Sequence, residues 1–165
     1  MNTITIIIMT VLGQVCSRSI THKRFSSQKS VRLYSRVGRH VTINASGVIG
    51  STFDNNNQLS NLKFIPTAAG EFIIQSEATG LYVNAKQMRK QKSYRLRAVS
   101  NRAMATHFNE EVKENKFNKY NLKGKSNCTL IMRNNGKLRV QCQKSNSVLF
   151  RAGEDEFLPR RVHRH

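Results

Sequence analysis

Acidic side chains are scarce in this sequence. Its 165 residues include nine Asp and Glu against 28 Lys and Arg, for a formal charge of +19. Only Asp54 and Asp155 are aspartates, and the glutamates gather mostly at 110–114 and 154–156. Catalytic signatures are missing as well: there is no G-x-S-x-G elbow, no H-E-x-x-H, no phosphate-cradling glycine loop and no C-x-x-C. His22, His40, His107, His163 and His165 show no metal-ligand spacing. These absences argue against an enzyme, a bound metal and a cofactor.

Long apolar runs are also lacking. The stretch Ile4–Leu12 is too short to cross a bilayer, which takes about 20 residues, so membrane insertion is not expected. Residues 1–17 instead fit a secretory signal peptide cut near Val15-Cys16-Ser17, although no Lys or Arg precedes the apolar run. A buried N-terminal strand would read the same way. Residues 18–30 then form a flexible basic arm, and a single domain spans 31–165. Secretion implies an extracellular protein. So high a positive charge, which opposes compaction by self-repulsion, predicts an anionic partner and retention on cell surfaces or matrix.

Cysteine occurs three times. Cys16 would leave with the signal peptide, and Cys128 and Cys142 remain. In the secretory pathway they can pair, and they flank one hairpin, but their sequence does not require a bridge. Asn44-Ala45-Ser46 and Asn127-Cys128-Thr129 are acceptor sequons for N-glycosylation in that compartment.

What is present is strand after short strand. Clusters such as VRLY, HVTI, LKFI, EFII, YRLRAV, TLIM and KLRV are rich in β-branched and aromatic residues and are separated by polar turns. Roughly ten or more strands with turns every 8 to 12 residues indicate an all-β sandwich or barrel. HVTINASGVIGS, LYVNAKQMRKQKS and TLIMRNNGKLRV each set an apolar strand before a polar turn, starting at His40, Leu81 and Thr129. Three units of four strands would make a β-trefoil: twelve short strands, a closed barrel capped by three hairpins.

The stretch CTLIMRNNGKLRVQCQK, residues 128–144, contains the last of these hairpins, and all its charges are positive: Arg133, Lys137, Arg139 and Lys144. Asn135-Gly136 predicts a two-residue type I′ turn at its tip. Nucleic acid, anionic lipid and sulfated polysaccharide could all answer that charge. The hairpin has no Phe, Tyr or Trp for base stacking, and secretion is the wrong compartment, so nucleic acid is not expected. The chain also carries KQMRKQKSYRLRAV, whose Arg89, Lys90, Lys92, Arg95 and Arg97 would either widen a polyanion footprint or decorate a mobile loop. Arg95 and Arg97 alternate with Tyr94 and Leu96, should face solvent and are expected to be decoration.

HFNEEVKENKFNKY, residues 107–120, resembles the fibroblast growth factor signature, with Phe108, Glu110, Glu114, Asn115, Phe117, Asn118 and Tyr120 in the matching places. RLYSRVGRHVTI, SGVIGS, GEFIIQSEATGLYV and FLPR follow the family's order, so the likeness covers about Arg32 to Val162. It implies a β-trefoil and a secreted ligand for the ectodomain of a fibroblast growth factor receptor tyrosine kinase. Heparan sulfate would be the co-receptor, and a monomer would dimerise along it. It further implies a sulfate site at Arg133, Asn134, Lys137, Arg139, Gln143 and Lys144, and a receptor surface at Tyr34, Glu110, Asn118, Tyr120 and Leu158. The chain departs from the family at Thr106, where a cysteine is usual. It is also longer and more basic in KQMRKQKSYRLRAV, and carries an acidic RAGEDE segment at 151–156. A trefoil that binds polyanions without activating a receptor is the competing reading.

Overall fold

The computed structural model describes residues 28–68, 70–88, 93–112, 117–143 and 157–162. The expected signal peptide, most of the expected basic arm, Arg89, Lys90 and Lys92, Glu114 and Asn115, Lys144 and the acidic 151–156 segment lie outside those residues. Twelve strands make one sheet. The first unit holds β1 (Lys29–Ser35), β2 (His40–Ile43), β3 (Ile49–Thr52) and β4 (Leu62–Ala68). The second holds β5 (Glu71–Ser76), β6 (Tyr82–Gln87), β7 (Ser93–Val99) and β8 (Phe108–Val112). The third holds β9 (Asn118–Leu122), β10 (Lys125–Met132), β11 (Leu138–Cys142) and β12 (Phe157–Arg161). Antiparallel pairing runs β1–β4, β4–β5, β5–β8, β8–β9, β9–β12 and back from β12 to β1, so these six strands close a barrel. The remaining strands form the hairpins β2–β3, β6–β7 and β10–β11, joined in part through β7 and β11. This is a β-trefoil, and the repeats that begin at His40, Leu81 and Thr129 fall on the second strand of each unit.

Local sequence explains the strands. In β1, Val31, Leu33 and Ser35 turn inward and Arg32 and Tyr34 do not; in β7, Tyr94 and Leu96 are buried while Arg95 and Arg97 are exposed, as their alternation predicts. Closure by non-local pairing then brings the aromatics together. Phe64 stacks on Phe72 at 4.6 Å, and Tyr120 meets both edge-on at 5.6 and 5.8 Å. Such arrangements contribute about 0.5–1.5 kcal/mol per pair beyond burial itself. Two short 3-10 turns, Gln58–Ser60 and Arg102–Met104, occupy equivalent places before β4 and β8. Each is opened by an Asn, Asn57 or Asn101, whose side-chain oxygen accepts from the backbone two residues on.

Two expectations change. The first strand begins at Lys29, inside the segment read as a flexible arm, because Lys29, Ser30 and Val31 pair with Phe64, Lys63 and Leu62 of β4. The Asn135-Gly136 turn is also different from the type I′ form. Arg133 O accepts from Gly136 N at 2.7 Å and Arg133 N donates to Lys137 O at 3.1 Å, so the loop has three residues, Asn134, Asn135 and Gly136. Gly136 has φ 78°. Its other constraint is tertiary: a Cβ there would lie 2.3 Å from Ser51 Oγ, and Ser51 Oγ donates to Gly136 O at 2.9 Å. The tip is thus seated against β3 rather than projecting freely.

Candidate functional site

The cationic hairpin β10–β11 is held in register from Cys128↔Cys142 to Met132↔Leu138. At its base Cys128 and Cys142 are direct cross-strand partners and form a disulfide. Arg133, Asn134 and Lys137 are exposed; Arg139 and Gln143 are half-buried, and Gln143 N donates to Asn127 O at 2.9 Å. The Arg139 guanidinium donates to Gln141 Oε1. Five of the six expected sulfate contacts therefore lie on one hairpin among the described residues, and the sixth, Lys144, falls beyond them.

The hairpin is not alone. β11 pairs with β7 so that Arg139 faces Arg95, and β7 pairs with β6 so that Arg95 faces Lys86. A groove of about 540 Å³ opens between Val48 of the β2–β3 turn, Arg95 and Arg97 of β7, and Lys137 and Arg139. Arg39 lies beside the hairpin tip, with its guanidinium 3.9 Å from the Phe53 ring centroid. Sequence reasoning recognised that Arg95 and Arg97 face outward but took them for surface decoration, and it gave Lys86 and Arg39 no part. Alternation along β6–β7 could flag exposure; which strand lies alongside β7 is a long-range fact.

The second candidate surface runs over β1, β12, β9 and β8. Tyr34 is paired with Leu158, its ring 4.4 Å from the Arg160 guanidinium and 5.0 Å from the His40 ring. Glu110 is paired with Tyr120, and its Oε1 accepts from Asn118 Nδ2 at 2.7 Å and from the Tyr120 hydroxyl at 3.1 Å. Tyr34, Leu158 and Glu110 are half-buried, whereas Asn118 is 8% exposed and Tyr120 0%. Tyr120 is thus not a surface contact but a core residue. Its ring is drawn between Phe64, Phe72 and Phe157 because β9 turns Tyr120, Asn121 and Leu122 out of solvent. Burial, followed by the charge of Glu110, pushes its phenol well above the ordinary range. It remains a neutral donor that fixes the Glu110 carboxylate.

His40 completes this neighbourhood. It is buried, and its Nε2–H donates to Asn55 Oδ1 at 2.7 Å. Burial, reinforced by Arg160 and Arg32 and opposed by the Asn55 bond and Asp54, holds its pKa below the usual 6.5. Nδ1 has no hydrogen-bond partner among the described residues, so the neutral ring is the one that fits.

The fibroblast growth factor family model matches residues 29–151. The chain belongs to the fibroblast growth factor family. Compared with curated proteins, it matches none. The family match begins at the first residue of β1 and includes β2 to β11; β12, which closes the barrel against β1, lies past its end. Members of this family are signalling ligands built on the β-trefoil, and the chain's strand pairing agrees with that fold. Among the described residues of this growth factor, no group of three or more His, Cys, Asp or Glu could hold a metal, and no helix is long and apolar enough to cross a membrane.

The two sequons have different surroundings in the growth factor. Asn44 sits in the β2–β3 turn, where its Oδ1 accepts from Ser46 Oγ at 2.8 Å and Val48 N at 2.9 Å. Asn127 is exposed on β10, but the hydroxyl of its Thr129 is buried and donates to Asn121 Oδ1 at 2.7 Å.

Proposed function

We propose that this fibroblast growth factor is a secreted ligand that binds and activates a fibroblast growth factor receptor tyrosine kinase, with heparan sulfate as co-receptor. The observation that carries the reading is the β10–β11 hairpin: Arg133, Lys137 and Arg139 on a disulfide-closed scaffold, with no Asp or Glu anywhere from residue 115 to 153. Sulfates along a stiff polysaccharide suit guanidinium and ammonium donors fixed on a rigid surface. A receptor face around Tyr34, Leu158 and Glu110 supports the ligand reading, because a carboxylate aimed by two buried donors is an interaction group whose conformation needs no further ordering. Asn118 and Tyr120 serve that face by orienting Glu110.

The test is binding of residues 18–165 to a fibroblast growth factor receptor ectodomain, with and without added heparin. Saturable binding that heparin strengthens, and that Tyr34→Ala weakens, is the expected result. Retention on heparin with no affinity for any receptor ectodomain would instead identify a polyanion-binding trefoil without receptor activation. That second reading draws some support from the burial of Tyr120, which leaves a receptor face with fewer aromatic anchors than the sequence suggested.

A further inference from the structure

Lys86, Arg95 and Arg139 occupy successive strands of one sheet face. The register places Lys86 opposite Arg95 and Arg95 opposite Arg139. Adjacent strands lie about 4.8 Å apart, so three cations stand within about 10 Å across the strands. Two residues further along, Arg97 on β7 and Lys137, which immediately precedes β11, both line the groove. Continuing the β7–β11 register that far brings them opposite each other. Residues two apart on a strand share a face and are separated by about 7 Å. The result is a field of two ranks: Lys86, Arg95 and Arg139 in one, Arg97 and Lys137 in the other.

Like charges directly opposite each other oppose sheet formation. β6, β7, β10 and β11 contain no Asp or Glu at all, so nothing within these strands offsets the field. Lys86, Arg95, Arg97 and Lys137 are exposed, so their head groups are available to a ligand. The exposed side chains of the field include no aromatic on which a base could stack; Tyr94, next to Arg95 on β7, turns inward and is buried. The groove wall instead carries small aliphatic surface from Val48 and Leu138.

We infer that the polyanion site of this chain is not confined to the β10–β11 hairpin but extends across β7 to β6, with a sulfated polysaccharide lying transverse to the strands over Lys86, Arg95 and Arg97 as well as Lys137 and Arg139. The inference rests on the heparan sulfate reading above and adds its footprint and direction. A chain so placed meets cations contributed by two separate trefoil units. It therefore ties the β6–β7 hairpin to β10–β11, and affinity rises with oligosaccharide length until both are covered.

Three variants with equal loss of charge test it. Lys86→Ala, Arg95→Ala and Arg97→Ala together remove the extension; Arg133→Ala, Lys137→Ala and Arg139→Ala together remove the hairpin site. Lys63→Ala, Lys119→Ala and Lys123→Ala serve as a control outside the cap. Each is titrated with heparin tetrasaccharide and octasaccharide at fixed salt, with near-ultraviolet circular dichroism confirming the fold. The extension variant should bind the octasaccharide about tenfold or more weakly than the control, by loss of counterion release, and lose the gain from tetrasaccharide to octasaccharide. An extension variant indistinguishable from the control, beside a weakened hairpin variant, overturns the inference and leaves the heparan sulfate reading intact. If the hairpin variant and the extension variant both bind like the control, the heparan sulfate reading fails and the footprint fails with it.

Discussion

The two faces of this trefoil are built on opposite electrostatic plans. On the cap, Lys86, Arg95 and Arg139 line up as like-charged cross-strand neighbours, and the strands that carry them include no acid. On the rim, Glu110 is met by Asn118 and by the hydroxyl of a buried Tyr120, and His40 is kept neutral beside Tyr34. In the proposed reading, the cap leaves its principal interaction energy to an external anion. The rim completes its polar network internally and presents what is left over. On that reading the cap side chains are expected to be dispensable for folding, whereas the rim side chains serve folding first.

Substitutions can break that comparison. The largest effect belongs to the rim: Tyr120→Ala removes a ring packed against Phe64, Phe72 and Phe157, and unfolding in denaturant should show a loss of about 3–5 kcal/mol. A loss below about 1 kcal/mol would mean that Tyr120 is not the core residue described. Next is a pH effect at His40. Its folded pKa lies below the unfolded value of 6.5, so the unfolded chain takes up the proton first as pH falls. The stability it contributes is complete above pH 6.5 and is lost as pH drops through the folded pKa. The thermal stability of the wild type should fall on that descent, and His40→Gln should flatten the dependence in the same window; an identical slope in the variant would place the titration elsewhere. The smallest effect is on the cap and has the opposite sign. Arg95→Ala relieves two like-charge pairings and should leave stability unchanged or raise it by about 0.2–1 kcal/mol, read from the denaturation midpoint. A clear destabilisation would show that Arg95 supports the fold and would erase the contrast.

Much of the fold was legible. Period-2 alternation gave Tyr94 and Leu96 an inward course and Arg95 and Arg97 an outward one, because the pleat is a local property of the chain. The threefold repeat located β2, β6 and β10 for the same reason: each unit repeats a local pattern of apolar strand and polar turn. The tip at Asn135-Gly136 was half legible. Its glycine marks a turn at positive φ, but the choice of a three-residue loop goes with the contact to Ser51 of β3, 85 residues away in the chain.

The candidate sites divide along the same line. Charge is a property of the sequence, and so the hairpin with Arg133, Lys137 and Arg139 could be found by counting. Burial is not. β9 carries Asn118, Tyr120, Asn121 and Leu122 with no strict alternation, and only barrel closure against β8 and β12 decides that Tyr120 goes inside and Glu110 stays within reach of a partner. The sequence by itself determined the strand content, the sign of the surface and the family. The tertiary structure decided which cations share a face, since β7 and β11 meet only by long-range pairing. It also decided which aromatics are core, since burial depends on what the rest of the chain brings to cover them.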